Sequence, residues 1–244
     1  MQTLKIINNK TMMKHTLLSI GFAAAAMTSQ AAIVWTGASD SDPFNDANWD
    51  LTGSTVTTIA VNTAILDNLT VSNLGTSASG DSAVSFGQFQ LGEGFSMTIT
   101  GTSFDLTGNE GFAGSGAGAT ETVTLIGSTS SLQFFSNGID VIVDGTSSLT
   151  IRGGGDGINS QTAESHVNLL TGGMLTMTNA AEITEQIGEG DIFVNGVQVT
   201  AGNRVSLISG TGATITALAA PVPEPSSTAL LGLGGLALLL RRRK

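Results

Sequence analysis

The chain has 244 residues, a formal net charge of −10, no cysteine and no tyrosine. Without cysteine there is no disulfide scaffold, no thiolate metal site and no cysteine nucleophile. Charged residues make up 11% and aromatics 5%, with 32 glycines, which is not the make-up of a helical enzyme; 41% hydrophobic residues are nevertheless enough to fold.

Charge is segregated along the chain. Seven of the nine basic residues sit at the ends: Lys5, Lys10, Lys14, Arg241, Arg242, Arg243 and Lys244. Between Ile33 and Ala220, Arg152 and Arg204 are two bases against eighteen acids, a net of −16. A surface this acidic repels phosphate backbones, so no nucleic-acid partner is expected.

Residues 1–31 read as a signal peptide. Lys10 and Lys14 form a positive region, and Leu17 to Met27 is an apolar run of eleven, short for a bilayer span. Ser29-Gln30-Ala31 puts small residues at the cleavage positions, so cleavage is expected after Ala31, with the Sec translocon and signal peptidase as partners. Met1 and Met12 both remain open as the start. A buried N-terminal helix would not need this strict order.

The exported domain, residues 32–220, opens with Val34-Trp35-Thr36-Gly37 and then Asn45-Asp46-Ala47-Asn48-Trp49. This W-x-G and N-W pair resembles the opening of exported bacterial β-solenoid proteins, autotransporter-like ones among them. The resemblance implies a cap over the first coil, where large side chains cover an otherwise open core. The alternative is a pair of sugar-stacking rings at Trp35 and Trp49. The same stretch is rich in oxygen ligands, with Asp40, Asp42 and Asp46 as candidate calcium donors. It departs from the EF-hand pattern, however, and a polar loop of Asx turns explains it equally.

From there the chain alternates with period two: Met97-x-Ile99, Val123-x-Leu125, Leu132-x-Phe134, Val141-x-Val143, Leu149-x-Ile151 and Val205-x-Leu207. A unit of apolar-x-apolar-x-Gly followed by a second apolar-x-apolar recurs from Met97, Val123, Val141, Val167 and Ile192, at intervals of 26, 18, 26 and 25 residues. That interval suits one rung of a β-solenoid. The expected fold is all-β: a parallel β-helix over roughly Val84 to Ile187, closed by antiparallel strands, with a β-sandwich as the alternative. Few aromatics favour a narrow core of Val, Leu and Ile. Asp144-Gly145 and Asn195-Gly196 are both hairpin signals, and a hairpin is expected over Ile192 to Val199. Ala180 to Ile187 is the best candidate for a short helix.

Catalytic signals are thin. His166 follows Ser165, but no G-x-S-x-G elbow accompanies them, and His166 reads as an outward strand residue. Arg152-Gly-Gly-Gly-Asp156-Gly157 lacks the G-K-[ST] of a phosphate loop and reads as a glycine turn. Arg152 and Arg204 are the only bases a polysaccharide lyase could use here. Glu182, Glu185 and Glu189 read as a solvated edge. No catalytic residue and no required cofactor is assigned.

The C-terminus, residues 221–244, has three ordered parts. Pro221-Val222-Pro223-Glu224-Pro225 is an extended linker, Ala229 to Leu240 is a run of twelve apolar residues, and Arg241-Arg242-Arg243-Lys244 ends the chain. The apolar run would make a helix of roughly 18 Å, short of the ~30 Å hydrocarbon core, with the basic tail stopped on the cytoplasmic side. This arrangement resembles the PEP-CTERM sorting signal of Gram-negative bacteria, with Pro223, Glu224 and Pro225 standing for its recognition motif. The resemblance implies processing by exosortase after a transient stay in inner-membrane lipid, then release to the cell surface or extracellular matrix. The expected role is structural or adhesive in biofilm or envelope, with exopolysaccharide as partner. The alternatives are a carbohydrate- or calcium-binding module, or a polysaccharide-active enzyme on a β-helix.

Overall fold

A computed structural model of the chain describes residues 32–72, 78–80, 87–116, 121–153, 157–159, 163–200, 205–208 and 212–219. The signal peptide with Ala31, Asp156, Arg204, and the C-terminal linker, apolar run and tail lie outside the described residues.

The alternating segments form strands that coil into a solenoid. After β1 (Ile33–Trp35) and β2 (Trp49–Asp50), four turns of three strands follow. They are β3 (Leu69–Ser72), β4 (Ala78–Gly80) and β5 (Gln88–Gln90); β6 (Ser96–Thr100), β7 (Ser103–Leu106) and β8 (Gly111–Ala113); β9 (Glu121–Ile126), β10 (Thr129–Leu132) and β11 (Phe134–Ser136); β12 (Ile139–Val143), β13 (Ser148–Ile151) and β14 (Ile158–Asn159). A further turn carries β15 (His166–Leu169) and β16 (Met174–Met177), then replaces its third strand with the helix α1 (Ala180–Glu189). The chain finishes with β17 (Ile192–Val194), β18 (Val197–Gln198), β19 (Val205–Ile208) and β20 (Ala213–Ala217).

Like strands of successive turns pair in parallel, making sheets of nine, seven and four strands. The sequence repeat is the register of the first sheet: Ile33, Leu69, Met97, Val123, Val141, Val167 and Ile192 stand in one column. All seven are buried, and each contributes roughly 1.5–3 kcal/mol by leaving water. Alternation sends Thr70, Thr98 and Thr124 to the opposite, solvent-facing side of the same strands. In the second sheet Ala78, Phe104, Ser130, Leu149 and Leu175 align, so a large ring sits beside a small hydroxyl and the layer stays filled.

Four expectations need correction. The solenoid extends beyond Val84 to Ile187 at both ends, because β1 and β3 already stack in parallel below β6, and β17 continues the ladder from β15. The core is not purely aliphatic, since Phe89, Phe112 and Phe135 form a ladder along the third sheet and end on Ile158. Glu182 is not on a solvated edge: it is buried in the first turn of α1, where Asn179 accepts from its amide and donates to its carboxylate at 2.8 Å. The fourth concerns the two X-Gly signals.

Asn195-Gly196 makes the expected hairpin, β17 pairing antiparallel with β18. Asn195 has φ +50° and Gly196 φ +73°, the pair of positive values that a type I′ turn requires. Asp144-Gly145 instead turns a corner from the first sheet into the second. Its carboxylate accepts from Thr146 N at 3.0 Å in an Asx turn. Gly145 is needed for close approach: a Cβ there would lie 2.4 Å from Thr171 O in the next turn. The C-terminal closure is antiparallel, with β20 pairing with both β16 and β19.

Candidate functional site

Trp35 and Trp49 face each other across the β1–β2 pair, their ring centroids 5.1 Å apart and edge to face. Trp49 also packs on Phe89, which touches Phe104 and Phe112. The two rings therefore join the aromatic ladder at the N-terminal end of the core. Trp35 is fully buried and Trp49 is 5% exposed, so neither presents a ring face to solvent. Trp49 Nε1 donates to Pro43 O at 2.8 Å.

The loop between them is organised by Asn48, the asparagine of the N-W pair. Buried completely, Asn48 accepts through Oδ1 from Ser39 N and Asp40 N, and donates through Nδ2 to Asp40 Oδ1 and Asp42 O. Asp40 takes further bonds from Asn45 and from Asp42 N, and the Asn48 contact leads these in holding its carboxyl below the usual range. Asp42 accepts from Phe44 N, and Asp46 from Ile59 N. The three carboxylates thus serve the loop's own amides rather than converging on a point. Among the described residues no group of three or more His, Cys, Asp or Glu is placed to hold a metal ion.

His166 is an outward strand residue, as its position predicts. It stands opposite Asp140 in the β12–β15 ladder, with Nδ1 at 2.8 Å from Asp140 Oδ1 and Nε2 at 3.7 Å from Glu164 Oε2. Its ring meets Phe193 edge to face at 5.1 Å. Ser165 points the other way: its buried hydroxyl accepts from Gly138 N and Ile139 N, so no Ser-His pair forms. Asp191, at the α1–β17 junction, is 6% exposed. Burial, with the Glu189 charge next, pushes its carboxyl up to about 6 against the pull of His166.

Arg152 is a clasp. From the end of β13 its guanidinium reaches back two turns and donates to the carbonyls of Leu106, Thr107 and Gly108. Gly153 lets the backbone pass close to β10 and β11, since a Cβ there would lie 2.3 Å from Gln133 O.

The C-terminal pattern has an independent counterpart. Residues 221–244 match the PEP-CTERM protein-sorting motif. The chain carries a PEP-CTERM signal behind a β-solenoid body. The motif implies exosortase-dependent export to the surface, with a C-terminal membrane anchor before cleavage. Among the described residues no helix is long and apolar enough to cross a membrane. No curated protein and no solved structure matches the chain.

Proposed function

We propose that the chain is an exported surface or extracellular-matrix protein with a structural or adhesive role in the envelope or biofilm, not an enzyme. The observation that carries the reading is the PEP-CTERM motif directly behind the solenoid. The body supports it physically. Its core column runs from Ile33 to Ile192, and its first open end is covered by Trp35 and Trp49. Such a rod presents long, regular polar faces, and with no cysteine in the chain it is held by its packed core rather than by disulfides. Residues 1–31 direct entry into the Sec pathway with signal peptidase cleaving after Ala31, the apolar run from Ala229 to Leu240 lodges in the inner membrane, and exosortase acts near Pro223-Glu224-Pro225.

Fractionation tests the route. Replacing Pro223, Glu224 and Pro225 by alanine, or deleting Arg241 to Lys244, is expected to leave the chain in the inner membrane. Unchanged surface display of both variants would contradict the reading. A broad glycan panel tests the non-enzymatic role; release of reducing ends or unsaturated products would refute it.

A further inference from the structure

We propose that the C-terminal corner of the solenoid, built by Leu170, Met174, Val197 and Leu218, is a docking face for a lipid bilayer surface, and that the body rests on the membrane through it while the chain is anchored. All four side chains are at least 36% exposed and belong to the last turn and its closing strands. Met174 of β16 stands opposite Thr216 of β20, and the bonds from Ala217 N to Gly173 O and from Gly172 N to Ala217 O carry that ladder on to Leu218. Met174 and Leu218 are therefore diagonal neighbours on the outer face of the second sheet. Leu170 follows β15 in the turn that leads to Met174, its carbonyl accepting from Gly173 N at 2.7 Å. The β17–β18 hairpin adds Val197 and is held against the end of β15 by Asn195 N, which donates to Leu169 O at 3.0 Å.

Charge sets this corner apart. The strands β16, β17, β18, β19 and β20 contain no Asp, Glu, Lys or Arg, in a body whose net charge is −16. The acids of the last turn are Glu164, Glu182, Glu185, Glu189 and Asp191. They precede β15 and β17 or lie on α1, whereas the corner lies where β15 has ended and β16 begins. The other exposed large hydrophobics among the described residues, Leu66 and Ile126, sit apart, before β3 and at the end of β9. Four exposed apolar side chains at one uncharged corner make a patch rather than a scatter.

The occupant follows from where the chain leaves the body. Leu218 and Ala219 are the last described residues, and residues 220–228 separate them from the apolar run that begins at Ala229. Nine residues reach at most about 35 Å, so with the run lodged in lipid this corner is the part of the body tethered nearest the bilayer. Anionic headgroups repel an acidic body, but an uncharged corner meets the interface without that cost, and its apolar side chains gain by leaving water. The docking rests on the export reading, which supplies the anchor.

The test uses the chain whose Pro223, Glu224 and Pro225 are replaced by alanine, recovered from inner membranes and reconstituted in phosphatidylcholine vesicles that carry a nitroxide lipid at headgroup depth. The chain has no cysteine, so Thr216→Cys or Ser103→Cys places a single fluorescent label. Both positions lie on the outer face of the second sheet, in the column Ser103, Thr129, Ser148, Met174 and Thr216. Quenching is expected to be at least about twofold stronger at Thr216→Cys than at Ser103→Cys, which stands ~19 Å away along the sheet. Leu170→Asp combined with Leu218→Asp is expected to lower the Thr216→Cys signal to the Ser103→Cys level. Both leucines are exposed, an unchanged circular dichroism spectrum shows that this variant folds, and the comparison of the two labels stands without it. Equal quenching at the two labels overturns the docking, and so does a Thr216→Cys signal that the aspartates leave unchanged. A Thr216→Cys label shielded from lipid, the result if another protein or the chain's own apolar run covers the corner, overturns it too. Each of these leaves export standing. If the alanine chain does not collect in the inner membrane, the export reading fails and the docking with it.

Discussion

Trp35 and Trp49 pair across an antiparallel two-strand corner at the start of the solenoid, one ring edge on the face of the other at 5.1 Å. The remainder of the first sheet from β1 to β17 is parallel, so this corner is where the ladder is turned back and its edge closed. Trp35→Ala removes a fully buried ring and is expected to cost about 3–5 kcal/mol, read as a lower urea midpoint. Trp49→Ala is expected to cost a similar amount and also to leave Pro43 O without its indole donor. Either variant keeping full stability while losing retention on glycan would instead make these rings a binding surface.

Gly145 and Gly196 follow acidic or amide residues in near-identical dipeptides but face different constraints. At Gly145 an added Cβ meets Thr171 O at 2.4 Å, a methyl against a backbone carbonyl that is fixed in the next turn. At Gly196 nothing lies within 4 Å, and the cost is the φ of +73° alone, about 1–2 kcal/mol. Gly145→Ala is therefore expected to lower the melting temperature more than Gly196→Ala. The opposite order would mean that Asp144-Gly145 is not the packed corner described.

Arg152 joins turns through three carbonyls, a geometry that a planar fork meets and an ammonium does not. Arg152→Ala is expected to destabilise by about 1 kcal/mol, below the ~1.5–3 kcal/mol of a charged hydrogen bond because the side chain is partly in water. Arg152→Lys is expected to recover little of it. Thermal unfolding of the three chains side by side decides; full recovery by lysine would reduce the residue to a mere charge.

Asp191 sets a pH dependence with a definite sign. Its folded pKa, about 6, lies above the ordinary 3.8, so the folded chain binds the proton more tightly than the unfolded one. Stability from this group therefore rises as pH falls through 6 toward 4, and is lost above 6. Asp191→Asn is expected to raise stability at pH 8 by on the order of 1 kcal/mol, allowing for solvent screening, and to flatten the profile between pH 4 and 6. Melting temperatures across that range check it; a parent chain whose stability climbs from pH 4 to 6 through this residue would reverse the sign.

Much of the rod was legible in the sequence because its register is its repeat. Met97, Val123, Val141, Val167 and Ile192 open the repeating units, and these same residues stack in one column. Ile33 and Leu69 belong to that column but carry no repeat, since a long loop separates them, so the first turns were missed. The phenylalanine ladder was hidden for another reason: its strands are three residues or fewer, too short to show a period. The Asp140–His166 pair spans 26 residues, and only the ladder register brings the two side chains together. Asn48 had a visible cue in its place beside Trp49, but its buried hydrogen-bond network arises only once the loop closes.

Mass spectrometry of the mature C-terminus, on protein recovered from the cell surface or medium, shows whether the sorting signal is removed. The PEP-CTERM signal predicts a chain that ends near Pro223-Glu224-Pro225 and lacks Arg241 to Lys244. A surface form that still ends in Lys244, or a chain found intact and solely in the inner membrane, would contradict it.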